Sequence, residues 1–228
     1  MDYRRNPRNA PYNRNPRYDR GGYSRDRDRG GYDRERKPSF PKKYEDWAWE
    51  LDFLPNGYMD DTRPKHLRDP ILQVLGEQYF SLLEVIIDRE KLNDFKFASS
   101  TRVYIGKGEE NTLGHRFKRI RFDKLTINAK AELPKILEAI ISANPDRFLN
   151  FFNNSQPITN RMHQLELLPG IGKKTMWAIL DARKKKTFEN FDDLQERTSI
   201  NHPQNLIIKR ITKELEQPNE KHYIFVRH

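Results

Sequence analysis

The sequence predicts an α+β protein: a small antiparallel β-barrel, then a helical domain, behind an N-terminal tail with no core of its own. Three observations carry this expectation. Apolar residues recur with a period of two in the stretch that opens at Trp47, the spacing changes to a helical i, i+3, i+4 pattern from Leu133, and residues 1–43 contain no Leu, Ile, Val or Trp.

The tail comes first. Residues 1–43 hold 14 Lys+Arg against 6 Asp+Glu, whereas the remaining 185 residues hold 29 against 27, so most of the formal net charge of +10 sits there. Its apolar content is almost entirely Tyr, too little to offset chain entropy, and it is expected to be disordered when free. It also repeats: Gly21-Gly22-Tyr23-Ser24-Arg25-Asp26-Arg27 returns as Gly30-Gly31-Tyr32-Asp33-Arg34-Glu35-Arg36. This composition resembles the RGG-type segments of RNA-binding proteins, in which guanidinium groups meet phosphates and tyrosines stack on bases. Arg25, Arg27, Arg34, Arg36, Tyr23 and Tyr32 are therefore candidate contacts. A purely solubilising tail is the alternative, though one with little use for five tyrosines.

Composition excludes several classes. With no Cys in 228 residues there is no disulfide framework, no Cys-held zinc and no iron–sulfur cluster. The six His show no HxxxH or HExxH spacing and point to no metal site. No apolar run approaches the roughly 20 residues of a membrane helix, and the Arg-rich start has no secretory apolar core, so the expectation is a cytoplasmic protein without membrane contact.

The barrel is expected over residues 44–126. Trp47, Trp49, Leu51 and Phe53 alternate with Ala48, Glu50 and Asp52, which puts the large groups on one sheet face, and Pro55-Asn56-Gly57 supplies a turn. Further strands are expected at 79–87, 101–105 and 117–122. In the last, with Arg116 before it, Arg119 and Arg121 share one face and Ile120 and Phe122 the other. Arg116, Lys118, Arg119 and Arg121 then form either a phosphate-tracking surface or a solvated strand face.

The helical domain is expected over 127–222. Leu133, Ile136, Leu137, Ile140 and Ile141 define an amphipathic helix with Pro134 in its first turn. Asn144 before Pro145 opens a second helix, and Thr159 is read as the cap of a third. Helices follow at about 173–185 and 203–216, and residues 223–228 read as a terminal strand that could return to the barrel beside Trp47 to Phe53.

Between two of these helices lies Leu168-Pro169-Gly170-Ile171-Gly172-Lys173-Lys174. Two glycines around one aliphatic residue suit a tight turn with the side chain tucked in and the amides turned outward. Lys173, Lys174 and Thr175 fall in the first turn of the next helix, where unpaired N–H groups and the helix dipole favour an anion and disfavour cations. The run resembles the helix-hairpin-helix motif, which implies that Gly170, Ile171, Gly172, Lys173, Lys174 and Thr175 grip a nucleic-acid backbone without reading bases. Phe188 to Leu194 resembles the opening of a second hairpin unit, but Thr198-Ser199-Ile200-Asn201-His202-Pro203 has no glycine, so that half is expected to be structural.

Taken together, residues 45–228 resemble domain-of-unknown-function family 655. The resemblance rests on the runs 76–85, 102–108 and 148–153, on Arg161 through Lys174, and on Tyr223-Ile224-Phe225-Val226. It implies an OB-like or TRAM-like barrel followed by helix-hairpin-helix helices, and a non-enzymatic nucleic-acid-binding protein. RNA, including ribosomal RNA or the ribosome, is the favoured partner, DNA the alternative, and protein partners are not indicated. No cofactor is implied, with a monovalent cation on the hairpin carbonyls left open. A competing enzyme reading stays open as well: Lys174 and Asp192 have the spacing that resembles helix-hairpin-helix DNA glycosylase/lyases, in which a desolvated lysine forms a Schiff base at an abasic sugar.

Overall fold

Strand β1, Trp47–Leu54, is held by its neighbours on both sides, β2 (Ile71–Gly76) and β4 (Arg102–Tyr104). The sheet is completed by β3 (Leu82–Ile86) and β5 (Arg116–Arg119), in the order β4-β1-β2-β3-β5 with every pairing antiparallel. This is a computed structural model, and it describes residues 44–92, 96–108, 113, 116–217 and 219–227. The tail residues singled out above lie outside those described.

β1 departs from simple alternation. The register with β2 shifts between Glu50 and Asp52, so one extra residue enters the strand and the faces exchange. Ala48 and Phe53 therefore belong with Leu72, Val74, Val85, Val103 and Ile105 in a smaller cluster, while Leu51 joins the main core with Leu75 and Leu82. The expectation that Trp47, Trp49, Leu51 and Phe53 share one face is corrected at Phe53, whose ring stacks on Phe97 at 3.9 Å between centroids. The opposite face is covered as well, since Ala48 and Glu50 are buried. β2 was not anticipated: Leu72, Gln73, Val74 and Leu75 are all buried, and a strand covered on both faces carries no alternation to read.

The strand expected from residue 79 begins at Leu82, because residues 77–81 form a turn held by a carboxylate. The buried Glu45 accepts the amides of Gln78 and Tyr79 at 2.9 Å and that of Ser81 at 3.1 Å. A Cβ at Gly76 would lie 2.1 Å from that carboxyl carbon, so glycine is required there.

Helix α1, Ile127–Ala143, starts earlier than expected. Thr126 caps it by accepting the Ala129 amide at 3.0 Å, which leaves Pro134 inside the helix rather than in its first turn. The helix survives that lost hydrogen bond because Ala129, Leu133, Ile136, Leu137, Ile140 and Ile141 all bury, each large side chain worth about 1.5–3 kcal/mol. Helix α2, Pro145–Asn154, adds Phe148, Leu149 and Phe152 to the same core. The helix expected after Thr159 is absent from the structure. Thr159 ends β6 (Pro157–Thr159), and its hydroxyl accepts the amides of Arg161 and Met162, forming a hairpin with β7 (Met162–His163). A 3-10 turn, Gln164–Leu167, leads to the glycine loop.

Helices α3 (Lys173–Lys185), α4 (Phe191–Arg197) and α5 (Pro203–Glu216) follow, and Met176, Ile179, Leu194, Ile207 and Ile211 continue the core begun on the sheet. The terminal residues 223–226 form no strand. Glu214, fully buried, accepts the amides of Ile224, Phe225 and Val226 at 2.8–3.0 Å and pairs with Arg210 at 2.7 Å. Arg227 then donates its amide to Tyr79 in the β2–β3 turn, not to the edge beside Trp47 to Phe53. No helix among the described residues is long and apolar enough to cross a membrane.

Candidate nucleic-acid interface

The loop Leu168–Gly172 turns because Gly170 takes φ +86°, a region L side chains avoid, while Gly172 sits at φ −94° and ψ −179° as the N-cap residue of α3. Ile171 is 5% exposed and packs into the main core, which fixes the loop from below. Ile171 donates its N–H to Leu168 O at 3.2 Å, whereas the amides of Gly170, Gly172, Lys173, Lys174 and Thr175 meet no acceptor among the described residues. No acidic residue occupies the first turn of α3 and no side chain caps it. In α4, by contrast, Asn190 accepts the Asp193 amide at 2.8 Å and Asp192 and Asp193 complement the dipole.

The two lysines differ. Lys173 donates to Arg161 O at 2.7 Å and pairs with Glu166 at 3.2 Å. Glu166 also accepts the His163 amide at 2.8 Å, and this hydrogen bond, with Lys173 beside it, holds its carboxyl below the usual range. Lys173 is thus tied to the turn before the loop, while Lys174 is exposed and finds no partner among the described residues. Thr175 is half-buried. Trp177, 55% exposed, lies three residues beyond Lys174 and so on the same flank of α3. Its exposure could not be read from sequence, where a tryptophan inside an amphipathic helix counts as core.

The second loop, residues 198–202, has the same length and also buries its central isoleucine, Ile200. It offers less to an anion: the His202 amide is taken by Gln195 Oε1 at 3.0 Å, and Pro203 opens α5 without an N–H. His202 takes the left-handed conformation at φ 52°.

The basic strand is placed differently from expectation. β5 stops at Arg119, so Arg121 lies off the strand, before the 3-10 turn Phe122–Lys124, and pairs with Asp123 at 2.8 Å. Arg116 pairs with Asp88 at 3.2 Å, Lys118 approaches Glu84 at 4.0 Å, and Arg119 donates to the Ser81 hydroxyl at 3.2 Å. All four strand residues are exposed; Arg116, Lys118 and Arg121 each face a carboxylate, whereas Arg119 meets only a hydroxyl. Charged side chains of this kind also protect an edge strand against pairing with another chain.

Asp192 is exposed in the first turn of α4 and Lys174 exposed in that of α3, whereas Schiff-base chemistry needs a desolvated amine. Sequence reasoning missed a further cluster on β1 and β4. Trp47 meets Tyr104 edge to face at 5.1 Å, Arg102 lies 4.0 Å over the Trp47 ring, and Lys107 lies 5.0 Å from the Tyr44 ring.

Comparison with known proteins gives a consistent family. A family model described as Protein of unknown function (DUF655) matches residues 44–227. The uncharacterised protein MJ0038 of Methanocaldococcus jannaschii is 44% identical over 193 residues, covering 84% of each chain. The crystal structure of Af1531 from Archaeoglobus fulgidus, described as a DUF655 family model, is similar with a TM-score of 0.73 and 46% identity, covering 80% of this chain and all of that one.

Proposed function

The chain belongs to the DUF655 family of unknown function, and from that membership together with the loop geometry we propose that it is a non-enzymatic nucleic-acid-binding protein that grips phosphate backbone at Gly170–Thr175. The observation that carries this reading is the set of amides without an acceptor at an uncapped helix start, with Lys174 free in its first turn. An anion there satisfies donors that the protein leaves open and reverses the unfavourable effect of the lysines on the helix dipole. On this reading the Gln164–Leu167 turn, the glycine loop and α3 form a helix-hairpin-helix with a one-turn first arm, and α4 to α5 its structural repeat.

The sheet is read as an OB-like or TRAM-like barrel, opened between β4 and β5. Its order β4-β1-β2-β3-β5 becomes a closed five-stranded ring if those two edges meet. RNA is the proposed target and the ribosome or its RNA the proposed setting, on the family resemblance and the Arg/Tyr-rich tail. The exposure of Lys174 favours a phosphate contact over Schiff-base formation.

The salt dependence of RNA affinity tests this reading. For a single strand, each phosphate contact contributes about −0.7 to the slope of log K against log salt. Lys174→Ala is expected to weaken binding at every sequence tested and to make the slope shallower by about that amount. An unchanged affinity and slope contradict the assignment.

A further inference from the structure

The hairpin reading leaves the β1–β4 aromatic cluster unused, and, resting on that reading of the protein as a nucleic-acid binder, we propose that this cluster is a stacking platform for a single-stranded segment of the bound nucleic acid. Tyr44 is 60% and Trp47 37% exposed, and register places Trp47 opposite Tyr104 and Trp49 opposite Arg102 across the β1–β4 ladder. β4 is an edge strand, so this end of the sheet is not covered by a further strand among the described residues.

The cluster is ordered rather than incidental. The Arg102 guanidinium sits 4.0 Å from the Trp47 ring centroid, and Glu77 holds it there through Nε at 2.6 Å. Glu77 also accepts the Trp49 indole N–H at 3.2 Å. Tyr104 donates its hydroxyl to Lys107 O at 3.2 Å, which positions the loop whose ammonium approaches Tyr44. Lys107 has no carboxylate partner among the described residues.

Exposed rings offer π-faces to any base, a guanidinium plane is itself a stacking surface, and the two cations meet the phosphates between stacked bases. A duplex hides its base faces, so only an unpaired strand uses such a surface. Residues 1–43, which precede Tyr44 in the chain, carry the same Arg and Tyr chemistry.

The test uses the full-length chain with two labelled probes: a single-stranded uridine RNA of about 12 nucleotides, within the span of one such barrel, and a blunt RNA duplex of the same length. Fluorescence anisotropy is expected to show about tenfold weaker single-strand binding for Tyr44→Ala and again for Trp47→Ala, near-wild-type binding for Tyr44→Phe, and no change with the duplex. Melting curves check that the variants fold, and Tyr44, being mostly exposed, keeps the test valid if Trp47→Ala does not. The platform is overturned if folded Tyr44→Ala binds the single strand as wild type does, if both probes lose affinity equally, or if the wild type binds only the duplex. It is overturned too if the substitutions change self-association and not RNA binding. A wild type that binds neither probe overturns the hairpin reading along with it.

Discussion

At the scale of single residues, Gly170 and Gly172 carry different constraints. A side chain at φ +86° costs about 1–2 kcal/mol whatever the space around it, so Gly170 is required by the turn itself. Gly172 is extended, and a Cβ there meets nothing within 4 Å, so the fold does not demand glycine. What an added side chain would intrude on is the space in front of the open amides. Glu50 poses a separate question. It is 2% exposed, one carboxylate oxygen accepts the Ala98 amide at 3.0 Å and the other has no partner, and burial pushes its pKa up to about 7 against that hydrogen bond. The folded state therefore holds the proton more tightly than the unfolded chain, and stability present in full below about pH 4.5 is lost as pH rises to about 7. Glu50→Gln is expected to flatten that decline and, at pH 8, to raise the free energy of unfolding by up to about 3 kcal/mol. A pH profile of denaturant unfolding identical to wild type contradicts the assignment.

At the scale of elements, the two loops of equal length share a buried isoleucine but differ at the helix start that follows. The first keeps its helix start open and the second fills it with Gln195 and Pro203. The C-terminal segment shows how much one carboxylate can organise. Glu214 gathers three consecutive amides and Arg210, while Arg210 also donates to His222 O and approaches Leu167 O just before the glycine loop. Glu214→Ala leaves these donors buried and unpaired, with an expected loss of about 3–5 kcal/mol in chemical denaturation. A loss below about 1 kcal/mol means that the latch is not structural. Elements with one clear face were legible in the sequence. α3 and α5 follow the spacing of their apolar residues and the Pro203 start. β2 was not, being buried on both sides, and neither was the Thr159 hairpin, because a hydroxyl that caps a helix serves a tight turn equally well.

At the scale of the whole molecule, charge and core are divided differently. The excess of cations lies in residues 1–43, while apolar side chains from one face of the sheet and from the helices meet in one cluster running from Leu51 to Val226. The glycine loop was legible because its chemistry is contiguous in sequence, from Leu168 to Thr175. The aromatic platform was not, because it depends on a register that brings Arg102 and Tyr104 beside Trp49 and Trp47. The loop is anchored through Ile171 to that core, so the proposed binding and the stability are separable by substitution. Gly172→Asp makes that separation. Aspartate is a better N-cap than glycine by a few tenths of a kcal/mol and suits the dipole, but its carboxylate occupies the place proposed for phosphate. The direct measurement is the melting temperature and RNA affinity of this one variant. A melting temperature equal to or above wild type with at least tenfold weaker binding is the expected result, and undiminished binding by a folded Gly172→Asp protein contradicts the account.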